Sequence, residues 1–401
     1  MTTAATPTAV ARGSHHRMLV AALLLTGLSM RTAVTSVGAA LDDLQRGLHA
    51  SGTVAGLITT LPVVCFAGIG ALTPRLSRHL GAHRLLTGSL VVTTVGLLLR
   101  PEMGNSAGFA ALSVLALAAG AVSNVLMPTL VKLHFPERIG PMTALYTTAL
   151  AVGVTAGAGL TVPIGDAVGG WRVGLGSWGL LTAVAVLPWL PTLRRDPAEA
   201  GAAHAVPMSA MLHSRTAWAV MIFFAAQSMQ AYIAFGWFAR FLVGHGISHA
   251  TAGAMVAALS AVGIPVSLVA PRVPAERQRA VITAFCGCNL IAYVGMALAP
   301  VGGAWVWMVL AGIGGGTFPI ALTIIGLRAR DAGTTASLSA FSQSLGYIIA
   351  GSGPLLFGAL FGATGSWALP LAVLFGSLVI TQVAAWPATA PRFVDDEMRM
   401  S

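Results

Sequence analysis

Charged residues are scarce in this chain, and their scarcity excludes a water-soluble globular protein. Only 8% of its 401 residues are Asp, Glu, Lys or Arg, whereas soluble domains contain about 25%. Hydrophobic residues make up 56% of the sequence, and the mean hydropathy is +0.82. Apolar stretches of about 20 residues, each long enough to cross a bilayer as a helix, recur along the whole chain. Lipid is therefore the predicted surrounding for most of it.

The apolar segments also lack the groups that enzymes and metal sites use. Every acidic residue and all ten histidines map to loops, tails or helix ends. Cys65, Cys286 and Cys288 fall inside apolar runs without zinc or redox spacing, so we interpret them as packing residues. No phosphate-binding glycine loop followed by Lys-Ser/Thr is present. We therefore predict no catalytic residue, no metal and no cofactor, since an enzyme would need acid, base or metal groups at depth.

Twelve apolar segments predict an all-α membrane protein made of two pseudo-symmetric six-helix bundles. We place the helices near residues 17–40, 52–74, 84–100, 107–133, 139–165, 172–190, 216–243, 248–270, 278–299, 303–327, 333–361 and 366–386. The first is too long for a typical signal sequence, so we predict that it is retained. The polar stretch 192–215 is predicted to link an N-terminal bundle, 1–191, to a C-terminal bundle, 216–401.

Basic residues predict how the chain crosses the membrane. The net charge is +10, but the arginines and lysines lie in short turns rather than on one face, which disfavours nucleic-acid binding. Alternate loops hold most of them, while the opposite side holds only Arg46, Arg100, Arg172 and Arg240. Because basic loops stay in the cytoplasm, both termini and the linker are predicted to be cytoplasmic in a multi-pass protein of the inner membrane.

An internal repeat supports two homologous halves. Both copies contain a small-residue helix, a proline, a basic turn, a glycine-rich helix and a tryptophan, marked by Pro128, Gly157 and Trp171 in one copy and by Pro319, Gly353 and Trp367 in the other. Parallel six-helix repeats build a major class of secondary transporters, with the substrate site between the halves. Chance similarity of Ala/Gly-rich helices is the alternative.

Arg31 is the basic residue placed deepest inside a predicted helix. Burying a guanidinium there costs about 2.5–3.5 kcal/mol on the insertion scale, so it needs a partner or a wet cavity. No carboxylate is available at that depth. A bound anion or electron-rich solute can supply the partner, because the planar guanidinium offers two parallel donors. Snorkelling of the side chain to the outer surface is the alternative.

Other polar residues inside the predicted helices are candidates for the same cavity. Thr35 shares a helix face with Arg31 at four-residue spacing, and Gln343 and Tyr347 are also four residues apart. The predicted substrate-binding set consists of Arg31, Thr35, Asn124, Tyr146, Gln227, Gln343 and Tyr347. For each of these, a hydrogen bond that only fixes helix packing remains an alternative.

Several motifs in the sequence resemble the major facilitator superfamily, and within it the branch of cyanate and nitroimidazole transporters. The resemblance runs from about residue 28 to 386 and is most specific at Met30-Arg-Thr-Ala-Val-Thr-Ser-Val-Gly38. Weaker matches lie at 61–64, 124–132 and 338–347. Ser29 and Thr32 replace the Asn and Pro that usually flank the arginine, and the basic turn 74–84 lacks the usual aspartate.

The resemblance implies secondary active or facilitative transport of a small anionic or polar solute, such as a cyanate-like anion or a nitro-heteroaromatic, by alternating access. The alternative is multidrug or antibiotic efflux on the same fold, for which Trp237, Phe318 and Phe341 are candidate aromatic walls. We predict a monomer whose partners are a small-molecule substrate and the lipid bilayer, with no nucleic acid.

Overall fold

The structure is a computed structural model that describes residues 9–50, 52–195 and 206–398. Within these ranges every regular element is an α-helix or a 3-10 helix, and no strand occurs. Residues 196–205, the centre of the predicted linker, lie outside the described residues. On either side of this gap the chain forms 3-10 turns at Leu187–Arg195 and Met208–His213.

Six helical spans precede the linker and six follow it. Before the linker, the helices are α1 (Ala9–Ser29), α2 (Thr32–Ala39), α3 (Leu41–Gly47), α4 (Gly52–Leu80), α5 (Ala82–Leu99), α6 (Ser106–His134), α7 (Ile139–Val168) and α8 (Trp171–Val186). After it, they are α9 (Arg215–Gly244), α10 (His249–Val269), α11 (Gln278–Leu298), α12 (Ala304–Gly314), α13 (Thr317–Leu327), α14 (Ala332–Thr364), α15 (Ala368–Ala388) and α16 (Val394–Met398). The pairs α1–α2 and α12–α13 each form one interrupted span.

Span length and composition confirm the predicted fold class. In the described residues, 11 helical segments are long and apolar enough to cross a membrane. The remaining long helix, α4, has 29 residues, or roughly 43 Å at 1.5 Å per residue, which is also sufficient. The predicted boundaries agree closely with the helices; residues 333–361, for example, correspond to Ala332–Thr364.

The interruption between α12 and α13 was not predicted, and a proline explains it. Pro319 has no N–H to donate to the carbonyl of Gly315, four residues earlier. That carbonyl instead accepts from the backbone N–H of Phe318 at 3.1 Å, and the Thr317 hydroxyl donates to the Gly314 carbonyl at 3.2 Å. A Cβ at Gly316 would also overlap the Phe285 ring. The glycine run 312–316 therefore both packs closely and bends the span.

One end of the bundle holds the start of the first span, the end of the last span, and the turns between α6 and α7 and between α13 and α14. His16 contacts the ring of Phe135 with centroids 4.8 Å apart, and Ile139 lies 3.0 Å from the Cβ position of Gly326. In the C-terminal half, the Val394 N–H donates to the Arg328 carbonyl at 3.0 Å. We call this end of the bundle the terminal face.

The two halves meet mainly on the terminal side of the bundle. A methyl group at Gly140 of α7 would overlap the Pro271 carbonyl that follows α10. Between the same helices, the Thr147 hydroxyl donates to the Ser267 carbonyl at 3.4 Å. Each described hydrogen bond between the halves joins residues at the level of Arg31 or nearer the terminal face. The structure is thus closed on that side.

Candidate functional site

Arg31 lies at the interruption of the first span and reaches across to the other half. Its Nη2 donates to the Tyr347 hydroxyl of α14 at 2.9 Å. The guanidinium carbon lies 4.9 Å from the centre of the Phe66 ring, a cation–π contact. The residue is only partly buried. Among the described residues the ion pairs join Arg46 to Asp43 and Arg330 to Asp396, so Arg31 has no carboxylate partner there.

Local hydroxyl groups explain how the chain tolerates a break beside Arg31. Where the helix ladder stops, the Ser29 hydroxyl donates to the Thr26 carbonyl at 3.0 Å. The Thr32 hydroxyl donates to the Ser29 carbonyl at 2.9 Å. In lipid every backbone carbonyl must be satisfied internally. The Thr26 carbonyl also accepts from the Met30 N–H at 3.1 Å, whereas the Thr32 hydroxyl supplies the donor for the Ser29 carbonyl. Thr32, one of the two departures from the usual family pattern, therefore stabilises the break.

A proline in α6 prepares the second part of the site. Pro128 lacks an N–H, so the Asn124 carbonyl has no helical donor. The Gln343 amide donates to that carbonyl at 3.4 Å, and the Asn124 amide donates in return to Gln343 Oε1 at 2.7 Å. Asn124 Nδ2 also donates to the Tyr347 hydroxyl at 3.0 Å. Arg31, Asn124, Gln343 and Tyr347 therefore form one hydrogen-bonded group between the halves.

Aromatic rings surround the Tyr347 side chain of this group. Phe66 lies 5.5 Å from it, centroid to centroid, Phe224 lies 5.2 Å away edge-on, and Tyr232 lies 6.3 Å away. Phe318 extends the group through Phe224 at 6.2 Å. The Tyr232 hydroxyl is close enough to Arg31 to interact electrostatically, but it has no hydrogen bond of good geometry in the described structure.

None of the three other predicted site residues has a hydrogen bond to a side chain of this group. The Thr35 hydroxyl donates to the backbone carbonyl of Arg31 at 3.2 Å, and it packs against Gly157 of α7. Tyr146 is buried with a hydroxyl that has no partner among the described residues. The Gln227 amide donates to the Phe224 carbonyl at 3.0 Å and to the Ser228 hydroxyl at 2.7 Å, both on its own helix.

Sequence reasoning missed Phe66 and Tyr232 as neighbours of Arg31. Neither belongs to a motif, and only the packing of α4 and α9 against α14 brings them together. Of the three aromatic residues predicted as walls, Phe318 lies beside Phe224, one of the rings around Tyr347. Trp237 instead packs on Phe357 at 5.6 Å, and Phe341 packs on Trp218 at 5.3 Å.

The arrangement is suited to binding a flat or linear, electron-rich solute. One permanent cation is held by neutral hydroxyl partners and aromatic faces, so its charge is not cancelled by a neighbouring carboxylate. A guanidinium offers several N–H donors, and only one of them is engaged by Tyr347. An anion or nitro group can accept the others, and an aromatic ring can stack on the neighbouring faces.

Comparison with known proteins agrees with this architecture. The family model described as "Major Facilitator Superfamily" matches residues 23–351. The chain is 36% identical to "Uncharacterized transporter YycB" of Bacillus subtilis (strain 168) over 95% of this chain and 96% of that protein. It is 31% identical to "2-nitroimidazole transporter" of Escherichia coli (strain K12), covering 90% of this chain and 92% of the relative.

Two further similarities extend the comparison. "Cyanate transport protein CynX" of Escherichia coli (strain K12) is 27% identical, with 90% of this chain and 95% of that protein covered. Among solved structures, the proton:xylose symporter XylE bound to 6-bromo-6-deoxy-D-glucose has a TM-score of 0.76 at 10% identity, covering 97% of this chain and 99% of the other. The latter likeness shows the fold alone.

Proposed function

Because the chain belongs to the major facilitator superfamily, we propose that it moves a small anionic or electron-rich solute by alternating access, with Arg31 as the principal substrate contact. That it is a multi-pass membrane transporter rather than an enzyme follows from its fold and its relatives. The substrate class and the role of Arg31 are the proposal.

The observation that carries the proposal is the unpaired charge between the halves. Arg31 belongs to the N-terminal half and Tyr347 to the C-terminal half, and the 2.9 Å hydrogen bond between them is neutral on the Tyr347 side. A solute that accepts from Arg31 replaces or adds to this contact. A solute in this position contacts both halves at once. Its binding free energy therefore depends on how the halves are arranged, as alternating access requires.

Nitro-heteroaromatics and cyanate-like anions are the proposed substrates. The names of two relatives, a 2-nitroimidazole transporter and a cyanate transport protein, support this class. Both solutes are small and present oxygen or nitrogen acceptors in a plane or a line, which suits a planar guanidinium donor. Phe66 and Tyr347 provide faces on which a flat ring can pack.

The membrane orientation is also a proposal. If the basic loops face the cytoplasm, the terminal face is cytoplasmic, and the structure is closed on the cytoplasmic side. The halves would then be 1–191 and 216–401, joined by a cytoplasmic linker at 192–215. Labelling of single cysteines placed at the exposed positions His213 and Gly302 in intact cells tests the orientation: reagent that does not cross the membrane must reach only position 302.

Transport by purified protein in proteoliposomes tests the substrate class. We expect uptake of labelled cyanate or 2-nitroimidazole, inhibited by excess unlabelled compound and lost in Arg31→Ala. Arg240→Ala is the matched control, because Arg240 also lies beside two aromatic rings, Trp237 and Phe361, but is exposed at the far end of α9. That variant is expected to transport at the wild-type rate.

Two results contradict the proposal. One is transport of a lipophilic cation, but neither small solute, at a rate that Arg31→Ala leaves unchanged; this outcome favours multidrug efflux. The other is equal loss in Arg31→Ala and Arg240→Ala, which would assign both arginines a general structural role.

A further inference from the structure

A fully buried arginine lies at the end of α5, away from the terminal face. Arg100 is 0% exposed. Its Nη1 donates to the Ala33 carbonyl at 3.1 Å, and its Nη2 contacts the Ser36 hydroxyl at 3.3 Å. Both partners belong to α2, the segment that follows the break at Arg31. Arg100 has no carboxylate partner in the described part of the chain. Its guanidinium carbon lies 5.6 Å from the centre of the Phe109 ring, a cation–π contact that leaves the positive charge without an anion.

Two donors near Arg100 are left without acceptors. The Arg100 Nε is buried and has no hydrogen-bond partner, and the same holds for the Ser113 hydroxyl of α6, on a side chain that is 1% exposed. A buried donor without a partner costs free energy, more so when it is charged. Water, an ion or a ligand at this position would remove that cost.

Arg100 and Ser113 line the same cavity. Its volume is about 160 Å³, and one water molecule needs only roughly 10–15 Å³ of such space. The cavity therefore has room for several waters or for one small solute. Most of its wall is apolar, formed by residues such as Val34, Val37 and Pro62. Gly38 at its edge is exposed, so the cavity has a route to the surface.

We infer that this cavity is a binding site for a small monovalent anion, separate from the contact at Arg31. The site supplies one buried positive charge, a guanidinium N–H and a hydroxyl whose proton can rotate toward the ligand. Two donors in an otherwise apolar wall suit a weakly hydrated anion such as bromide. They do not suit sulfate, which would leave several oxygens without donors. The anion is either an inorganic ion or a small transported anion of the same charge.

An anion at this position would hold α2 in place. Arg100 already fixes the Ala33 carbonyl and the Ser36 hydroxyl, and neutralising its charge removes the penalty of keeping it there. The inference does not rest on Arg31 binding substrate, because Arg31 does not line this cavity.

Bromide titration of the purified full-length protein tests the site. Sodium bromide is exchanged for sodium gluconate, a bulky monovalent anion, at constant ionic strength, and the midpoint of thermal unfolding is followed, since a ligand of the native state raises it by mass action. We expect bromide to raise the midpoint of the wild type and of Arg31→Ala. In Ser113→Ala we expect binding roughly two- to tenfold weaker, as for loss of one neutral hydrogen bond.

Ser342→Ala is the matched control, because Ser342 is also a buried serine without a partner but lies in the other half. Its bromide response is expected to equal that of the wild type. An equal response in Ser113→Ala and the wild type, a response lost in Arg31→Ala, or no response at all would overturn the inference.

Anomalous diffraction from wild-type crystals grown in bromide locates the ion without any variant. The expected result is a peak within hydrogen-bonding distance of Arg100 Nε, and its absence there contradicts the site. Cyanate that displaces bromide in the Arg31→Ala protein would show that the cavity takes the transported class of anion. Bromide binding that cyanate does not compete for would identify an inorganic ion; both results support an anion site.

Discussion

The first spans of the two halves each carry a polar side chain that bonds to other helices, but the partners lie in different places. Arg31 lies between α1 and α2 of the N-terminal half, and Gln230 lies in α9 of the C-terminal half. Gln230 donates to Thr381 at 2.9 Å and accepts from Asn289 at 3.2 Å and Tyr293 at 3.0 Å. All four residues belong to the C-terminal half.

Arg31, by contrast, lies at a break in its span and makes its side-chain hydrogen bond to the opposite half. A polar group whose partners are all within its own bundle stabilises that bundle. A charged group whose partner lies across the interface must exchange partners when the halves move. A polar side chain inside a first span therefore does not by itself define a role; the location of its partners does.

The largest expected effect comes from joining the halves. With Cys65, Cys286 and Cys288 replaced by alanine, we expect a disulfide between Thr147→Cys and Ser267→Cys to abolish transport, since these positions meet across the terminal side. Reduction should restore it. The control pair Ser89→Cys and Ser123→Cys lies within one half, with hydroxyls 3.0 Å apart. Full transport by the cross-linked Thr147/Ser267 protein would show that this contact does not open.

The next effect concerns stability rather than transport. Gln230→Leu should lower the free energy of unfolding by about 1–2 kcal/mol, because it leaves the Asn289 amide and the Tyr293 hydroxyl without their acceptor. Transport per folded molecule should be kept. Gln382→Leu is the control, since that amide makes one surface hydrogen bond to Thr283 at 2.9 Å. If Gln230→Leu kept its stability but lost transport, Gln230 would have the role that we assign to Arg31.

The smallest effect is a pH-dependent contact at the start of α9. Burial raises the pKa of Glu397, but hydrogen bonds from Ser214 and Thr216 and the charge of Arg392 outweigh this, and the pKa lies below its usual value. A lowered pKa contributes stability above the usual carboxyl value, about 4.3, and this contribution is lost as the pH falls through the folded value.

The wild type should therefore unfold at a higher temperature than Glu397→Gln near neutral pH, with a gap that closes as the pH falls. Glu102→Gln, which alters an exposed carboxylate at the other end of the bundle, should show no such gap. A gap that widens on acidification would mean that Glu397 is not stabilised in its ionised form.

The sequence predicted the spans well because their signal is local. Each is an apolar run of sufficient length, and the predicted boundaries lie close to those of the helices. That Arg31, Asn124, Gln343 and Tyr347 have polar partners was also predictable, since polar residues inside a span need them. Which partners they have was not predictable from local sequence.

Three features depend on contacts between distant segments. The break beside Arg31 depends on the Thr32 hydroxyl, which donates to the Ser29 carbonyl, and hydropathy does not report this bond. Arg100 was placed at a helix end, and only the packing of α2 and α6 around it makes it fully buried. Gln227, like Gln343, is a polar residue inside an apolar helix, yet its amide donates to a carbonyl of its own helix.

The measurement that tests the central claim most directly is the affinity of Arg31→Lys and Arg31→Gln for 2-nitroimidazole and for cyanate. Each affinity is measured as the thermal stabilisation that the compound produces. We predict that both variants fold, and that Arg31→Gln is no less stable than the wild type, because it removes a costly buried charge. We predict affinity about 10- to 100-fold weaker in Arg31→Lys, since an ammonium keeps the charge but loses the planar two-point contact. Wild-type affinity in both variants would contradict the assignment of Arg31 as the substrate contact.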